Sequence, residues 1–363
     1  MVYNKLFLSF FDSEYAGGSR KTLWREVLGS NCAVVIAIGG GGDIVSAAVL
    51  GESMRASGMR VVLASIVWER LILDPEPGPI KLDNIYLIEH ETGNLALALP
   101  GCYAIRAGRV VVPQACKVAS ILRQPIHVLE MWRGELGLRQ AVNDLIQLSS
   151  CDTVVGVDVG GDVLATGFED TVWSPLADQL GLAAIANSKA EQAIVAVHSI
   201  GADGELPLDT VLERLNEIVK LRGYIWARGI TRDDARLLEE IVEKVETEAS
   251  RVQLEVWRGK VGTIKLRGGT RMLNASILNL VTFLIDARKL YTISPLAKAV
   301  TGTTSLEEAR EKMNEMCVFT EYDLEEMISF ESRKHVGYDI VVKARRVGRQ
   351  WVKLICTRQN KLI

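Results

Sequence analysis

The sequence predicts an α/β protein: a Rossmann-like, mostly parallel sheet covered by helices on both faces, with a smaller C-terminal mixed α/β portion. Two observations carry this expectation. Near-continuous apolar runs alternate with helix-like segments along most of the 363 residues, as in parallel sheets buried on both faces. Two of those runs also end in glycine-aspartate turns, "IGGGGD" and "VGGD", the punctuation of strand-to-helix loops at the ligand edge of such sheets.

Taken in order, residues 34–38 read as a buried strand that leads through four glycines to a helix near 44–57. Strand candidates follow at 61–68, ending in Glu69-Arg70, and at 85–89. A Gly-rich passage precedes a short strand at 110–112 and a helix at 114–122. Strands at 126–131, 153–159 and 193–200 then alternate with helices at 135–148, 175–186 and 208–221. Thr231 with Asp234, and Ser305 with Glu308, are spaced as capping boxes. The helix expected at 232–249 carries many carboxylates on a wetted face. Residues 252–269 alternate like antiparallel strands around Gly259, and 341–355 also read as strand. The division expected is a Rossmann-like core over 1–250 and an α+β portion over 251–363 packed on the same core.

Composition narrows the classes. Apolar residues make up 48% of the chain, enough for a well-formed core, and no apolar run approaches the ~18 residues of a membrane span. The N-terminal segment lacks a basic start and a small-residue cleavage pattern, so the cytoplasm is the expected compartment. Six cysteines are scattered without metal-ligand spacing and read as buried free thiols. A net charge of −3 gives no overall electrostatic signature. From Arg333 onward, however, nine lysines and arginines face one acid, Asp339. With Tyr338 and Trp351 among them, that stretch fits a nucleic-acid surface. It also fits a basic edge strand that discourages sheet pairing, the reading preferred here. Homo-oligomerisation is open to an apolar chain of this size.

The glycine loops carry the chemistry. Gly39, Gly40, Gly41 and Gly42 let the backbone turn sharply and approach a ligand closely. A helix starting directly after them points free N–H groups at an anion. Asp43 then caps the helix, accepts from a sugar hydroxyl, or binds magnesium. The second loop adds Asp158 and Asp162 around Gly160 and Gly161, two carboxylates where a cap needs one. Asp203, Gly204 and Glu205 follow a third strand, beyond His198. The readings weighed there are a plain turn or a further contribution to a shared site. If these turns adjoin, Asp43, Asp158, Asp162 and Asp203 make a hard-cation site suited to Mg. Asp43 and Asp162 are then the candidate catalytic acids, with His198 as an acid/base candidate. Arg271, in "RGGTRM", is a candidate phosphate contact.

Known fingerprints bound the rest. Ile44 stands where a dinucleotide motif needs its third glycine, although Glu69 would suit a ribose hydroxyl, so NAD(P) or S-adenosylmethionine remains the alternative cofactor. No P-loop, Gly-x-Ser-x-Gly elbow or His-Glu-x-x-His segment is present. The expectation is an enzyme that binds a nucleotide or phosphorylated metabolite, with Mg-dependent phosphoryl transfer or hydrolysis. The two loops are alike over a span short enough to be convergence on one turn or the trace of a duplication.

Together "IAIGGGGDIVSA", "GVDVGGDVLATG", "GADGEL" and the late "TSLEEAREK" and "VFTEYDLEE" resemble a domain-of-unknown-function family, numbered 1152 and found mainly in archaea. The similarity covers residues from about 34 to 323. It implies an intracellular α/β protein, and it supplies no catalytic residues.

Overall fold

A computed structural model describes residues 23–70, 73–331 and 337–359. The N-terminal segment through residue 22, together with Arg333, Lys334 and Lys361 of the basic stretch, lies outside the described residues. The chain runs α1 (Leu23–Leu28), β1 (Cys32–Ala37), α2 (Asp43–Ala56), β2 (Arg60–Ile66), β3 (Ile85–Thr92), β4 (Leu95–Arg106) and β5 (Arg109–Val111). It continues with α3 (Gln114–Leu122), β6 (Ile126–Leu129), α4 (Gly134–Ser149), β7 (Thr153–Val159), α5 (Pro175–Ala186), β8 (Gln192–His198), α6 (Leu208–Lys220) and β9 (Tyr224–Gly229). Then come α7 (Arg232–Val242), α8 (Glu248–Trp257), β10 (Gly262–Leu266), β11 (Arg271–Ala275), β12 (Val281–Asp286), α9 (Ala287–Ile293) and α10 (Pro295–Val300). The last helices are α11 (Leu306–Glu315), α12 (Glu321–Glu331) and α13 (Tyr338–Gln359).

One large sheet organises the molecule, in the order β3-β4-β6-β2-β1-β7-β8-β12-β9, with β5 paired to β4. Its centre, β6-β2-β1-β7-β8, is parallel, and its margins are antiparallel. β1 and β7 are buried along their whole length because helices cover both faces. The pleat divides β1 between two cores: Val34 and Ile36 pack with α4 and α5, while Ala33, Val35 and Ala37 pack with α2, α3 and α7. From β1 the chain crosses through α2 to β2, and from β7 through α5 to β8, moving outward in opposite directions. β1 and β7 therefore flank a topological switch point, where a crevice opens beyond the strand ends.

Several elements differ from the sequence reading, for local reasons. The Gly-rich passage is β4, a twelve-residue antiparallel strand that carries Pro100-Gly101 within it. Residues 248–257 form α8, and the antiparallel pair is β10-β11, turning at Gly268-Gly269 rather than at Gly259. The expected strand at 341–355 is helical: Ala344, Gly348 and Cys356 are buried along α13, where Ala344 packs with Phe319, Leu324 and Ile328 and Cys356 pairs with Cys317. The expected helix at 232–249 is two, α7 and α8. Position 250 lies inside α8, and β12 sits between β8 and β9 in the main sheet, so the chain beyond 250 completes that sheet. Thr231 and Asp234 form the full reciprocal box, whereas Glu308 reaches back to Thr304 rather than to Ser305.

The cysteines are also not free thiols. Cys32 pairs with Cys151, Cys102 with Cys116, and Cys317 with Cys356. The fold places the members side by side: Cys32 and Cys151 stand at the starts of adjacent parallel strands, their Cα atoms 5.0 Å apart. Among the described residues no helix is long and apolar enough to cross a membrane.

Candidate functional site

The two glycine loops meet. β1 and β7 are hydrogen-bonded neighbours, with Ala37 opposite Val157, so their loops leave the sheet side by side. Gly40 and Gly41 take φ of +74° and +52°, and the Gly41 N–H donates to the Trp68 carbonyl at 2.9 Å. A Cβ on Gly39 would stand 2.5 Å from one Asp43 oxygen and 2.7 Å from one of Asp178. Gly160 has φ +116°, and a Cβ there would stand 2.5 Å from Asp203 Oδ1. These glycines leave room for carboxylates as well as for a ligand.

Asp43 opens α2, but Gly42 holds the cap position. The Asp43 side chain instead turns back to accept the Gly39 N–H at 3.0 Å. Asp158 ends β7, Asp162 begins the short turn after it, and Asp203 lies in the loop after β8. Asp178 joins them from the first turn of α5, a helix buried along its whole length. Two sets of three acids come close enough to share an ion: Asp43, Asp158 and Asp178, and Asp162, Asp203 and Glu205, with donor atoms within 4.8 Å of one another in each set. Three of their oxygens, Asp158 Oδ1, Asp178 Oδ1 and Asp203 Oδ2, are buried without a hydrogen-bond partner among the described residues.

Burial and crowding make this cluster reluctant to ionise. Burial raises Asp43 to about 8, against the pull of the Arg70 guanidinium. Burial and the neighbouring Glu205 raise Asp203 to about 7. Asp158, Asp162 and Asp178 are pushed well above the usual carboxylate range, first by burial and then by each other's charge.

Glu205 behaves differently. Its Oε2 accepts the Trp173 and Ser174 N–H groups, and its Oε1 accepts Ser174 Oγ at 2.6 Å and Arg271 Nη1 at 2.7 Å. Despite burial, those donors, with Arg271 foremost, hold it down at about 2. Four donors fill the acceptor sites of a carboxylate, so Glu205 is an anchor. The acceptors with capacity to spare belong to the aspartates. Arg70 lies among acids of its own: burial works to lower it, but Glu321, Glu205, Glu325 and Asp162 together raise it.

A cavity of about 530 Å³ opens over this floor. Gly39–Gly42, Asp43, Asp162, Asp178 and Asp203 form its base; Arg251, Lys260, Lys265 and Arg267 stand on its other walls. The N-terminus of α8 enters from the side, where Thr247 caps the helix against Gly42.

The expected site residues therefore separate into two groups. Asp43, Asp158, Asp162 and Asp203 come together with Gly39, Gly40, Gly41, Gly42, Gly160 and Gly161. His198 does not join them, because its ring is buried between Thr282 Oγ1 at 2.7 Å and Gln253 Oε1 at 3.1 Å, and burial lowers it to about 4. That placement removes it as an acid/base at neutral pH. Glu69 does not line the cavity; its Oε1 accepts the Gln114 N–H at the start of α3, and its Oε2 is buried without a partner among the described residues. Gly204 packs against the Arg271 side chain, and Arg271 braces Glu205. Sequence reasoning missed Asp178 and Arg70 as site members, and it named Glu205 only with the third turn. An aspartate within the apolar segment "PLADQLGLAAIA" was the available signal for the first.

Part of the described basic stretch is engaged within the chain. Arg349 and Lys353 pair with Asp170, and Arg345 stacks on Trp173 at 4.1 Å.

No curated protein and no solved structure matches the chain. A family model described as "Protein of unknown function (DUF1152)" matches residues 34–329, a span that holds every carboxylate of the cluster. On that match the chain belongs to the DUF1152 family.

Proposed function

We propose that the protein is a divalent-cation-dependent enzyme that binds a nucleotide or phosphorylated metabolite at the glycine-aspartate loops and transfers or hydrolyses its phosphoryl group. The observation that carries this reading is the trio of buried, unpartnered oxygens on Asp158, Asp178 and Asp203, beside a backbone stripped of side chains. A buried carboxylate oxygen without a donor is costly, and an all-oxygen donor set suits magnesium or manganese. Asp43, Asp158 and Asp178 would hold the ion, with Asp162 and Asp203 adjoining. Such an ion, when bound, would neutralise the carboxylates and stabilise negative charge on a phosphoryl group.

The remaining roles belong to the chain itself. The α2 and α8 N-termini turn their positive ends toward the cavity. Lys265, an exposed side chain, supplies a cation on the cavity wall. Glu205, locked by four donors, orients Ser174, whose hydroxyl contacts Asp162 at 3.4 Å. A dinucleotide site fits less well, because the aspartates crowd the place where its pyrophosphate would sit.

The test is calorimetric titration with Mg²⁺ and Mn²⁺, followed by a phosphate-release screen over nucleotides and phosphorylated metabolites. Cation binding that Asp178→Asn and Asp43→Asn each abolish, with turnover lost alongside, is the expected result. Turnover that persists in both variants would overturn the reading.

A further inference from the structure

A second cavity, of about 70 Å³, lies beside the first; Arg70, Ser174, Arg267 and Tyr338 line both. Its walls bring together the guanidinium groups of Arg70, Arg267 and Arg271. Arg271 is 7% exposed, and its Nη1 is committed to Glu205 and to the Asp203 carbonyl. Its Nε–H is buried and meets no acceptor among the described residues. An ionised donor left unsatisfied in a protein interior is costly, and such groups ordinarily find a partner.

The acids that face this cavity do not supply one. Glu321 spends both oxygens on the Leu176 and Ala177 amides. Glu325 accepts the Trp68 indole N–H and the Gly78 amide on one oxygen. Burial and the adjacent Arg271 and Arg70 charges lower Arg267 to about 9, against weaker pulls from Glu205 and Glu248. Arg70, Arg267 and Arg271 line one cavity with Glu321 and Glu325, and Arg271 also stacks on Trp173 at 4.6 Å; a planar or tetrahedral oxyanion is a ligand that guanidinium groups bind well.

We propose that this smaller cavity is an anion subsite that takes a second oxyanion group, phosphate or carboxylate, of the substrate whose phosphoryl group lies at the aspartate cluster. The substrate class is then a metabolite with two anionic groups, such as a bisphosphate or a phosphorylated acid. The identity of the first group rests on the reading under Proposed function; the subsite itself rests on the arginines.

The two can be tested apart. Inorganic phosphate and, separately, acetate are titrated calorimetrically into the full chain in EDTA, where no divalent cation assists. Arg267→Ala is compared with Arg267→Lys, and circular dichroism checks folding; no hydrogen bond ties the Arg267 guanidinium to the fold among the described residues. Phosphate or acetate binding that weakens by about tenfold or more in Arg267→Ala, and is partly restored by lysine, is expected. Whichever probe binds more tightly identifies the second group. Binding of neither, or binding equal in parent and Arg267→Ala, overturns the subsite. Loss of Mg²⁺ binding alone would count against the cation reading and leave the subsite standing.

Discussion

Thr247 Cβ lies 2.8 Å from the point where a Cβ on Gly42 would stand, and Thr247 Oγ1 is closer still. The N-termini of α2 and α8 are thereby pressed together at the mouth of the cavity. Gly42 has an ordinary φ of −74°, so glycine is needed here for space and not for backbone conformation. Gly42→Ala should destabilise the protein by about 1–3 kcal/mol through overpacking. Thr247→Gly removes the obstacle at a cost of a few tenths of a kcal/mol at the cap. The double variant should therefore recover most of the loss in urea denaturation, and strictly additive losses would contradict the contact.

Glu205 and Asp178 should respond oppositely to neutralisation. Glu205→Gln withdraws a negative acceptor from Arg271 and turns an amide N–H₂ toward backbone donors. Breaking one side of a buried ion pair costs about 3–5 kcal/mol. Asp178→Asn removes a charge that burial and its neighbours already oppose, and Asp178 Oδ1 has no donor to lose. Chemical denaturation in EDTA should place Glu205→Gln well below the parent and Asp178→Asn at or above it. Added Mg²⁺ should raise the midpoint of the parent and not that of Asp178→Asn.

The same crowding sets a pH dependence. Asp43 and Asp203 carry folded values of about 8 and about 7, against an ordinary 3.8. A carboxylate raised on folding gives stability that is complete below its unfolded value and lost as pH rises through its folded value. His198 works the other way: it is lowered from 6.5 to about 4, so its contribution is present above 6.5 and lost as pH falls. The clean window is therefore pH 6.5 to 8. Stability in EDTA should fall as pH rises across it. Saturating Mg²⁺ should flatten that slope, since a cation favours the ionised acids. A slope in EDTA that is flat or rising would refute the unneutralised cluster.

The centre of the fold was legible because burial on both faces leaves little choice of residue. The bounds of α3, β7 and α5 agree with the sequence reading residue for residue. The loops were legible too, since glycine runs after buried strands have few other uses. Legibility failed where the pattern was two-sided. In α13, valines and basic residues alternate well enough to mimic a strand, and only the wider spacing of Ala344, Gly348 and Cys356 marks the helix. β4 was hidden by its own Pro100-Gly101. Long-range partners were not readable at all. Nothing local tells that the Glu205 carboxylate meets Arg271, or that His198 is clasped by Gln253 from α8 and Thr282 from β12.

The three disulfides make the final prediction, and they divide its consequences by position. Cys32–Cys151 closes a loop across 119 residues at the end of β1 and β7 away from the cavity. A crosslink of that span restrains the unfolded chain strongly, so Cys32→Ser with Cys151→Ser should cost about 3–5 kcal/mol, read by denaturation. Cys317–Cys356 instead ties α13 to the segment after α11. α13 is also held by Arg349 at Asp170 and by Arg345 on Trp173, and it delivers Tyr338 to the cavity wall. Cys317→Ser with Cys356→Ser should therefore leave the global transition within about 1–2 kcal/mol while exposing the C-terminal helix to limited proteolysis, because local opening draws on fewer contacts than global unfolding. Disulfides persist in oxidising compartments and in the intracellular proteins of some hyperthermophiles. Thiol titration of the unreduced, denatured protein should accordingly find no free cysteine, and recovery of six would remove all three crosslinks and the tether on α13 with them.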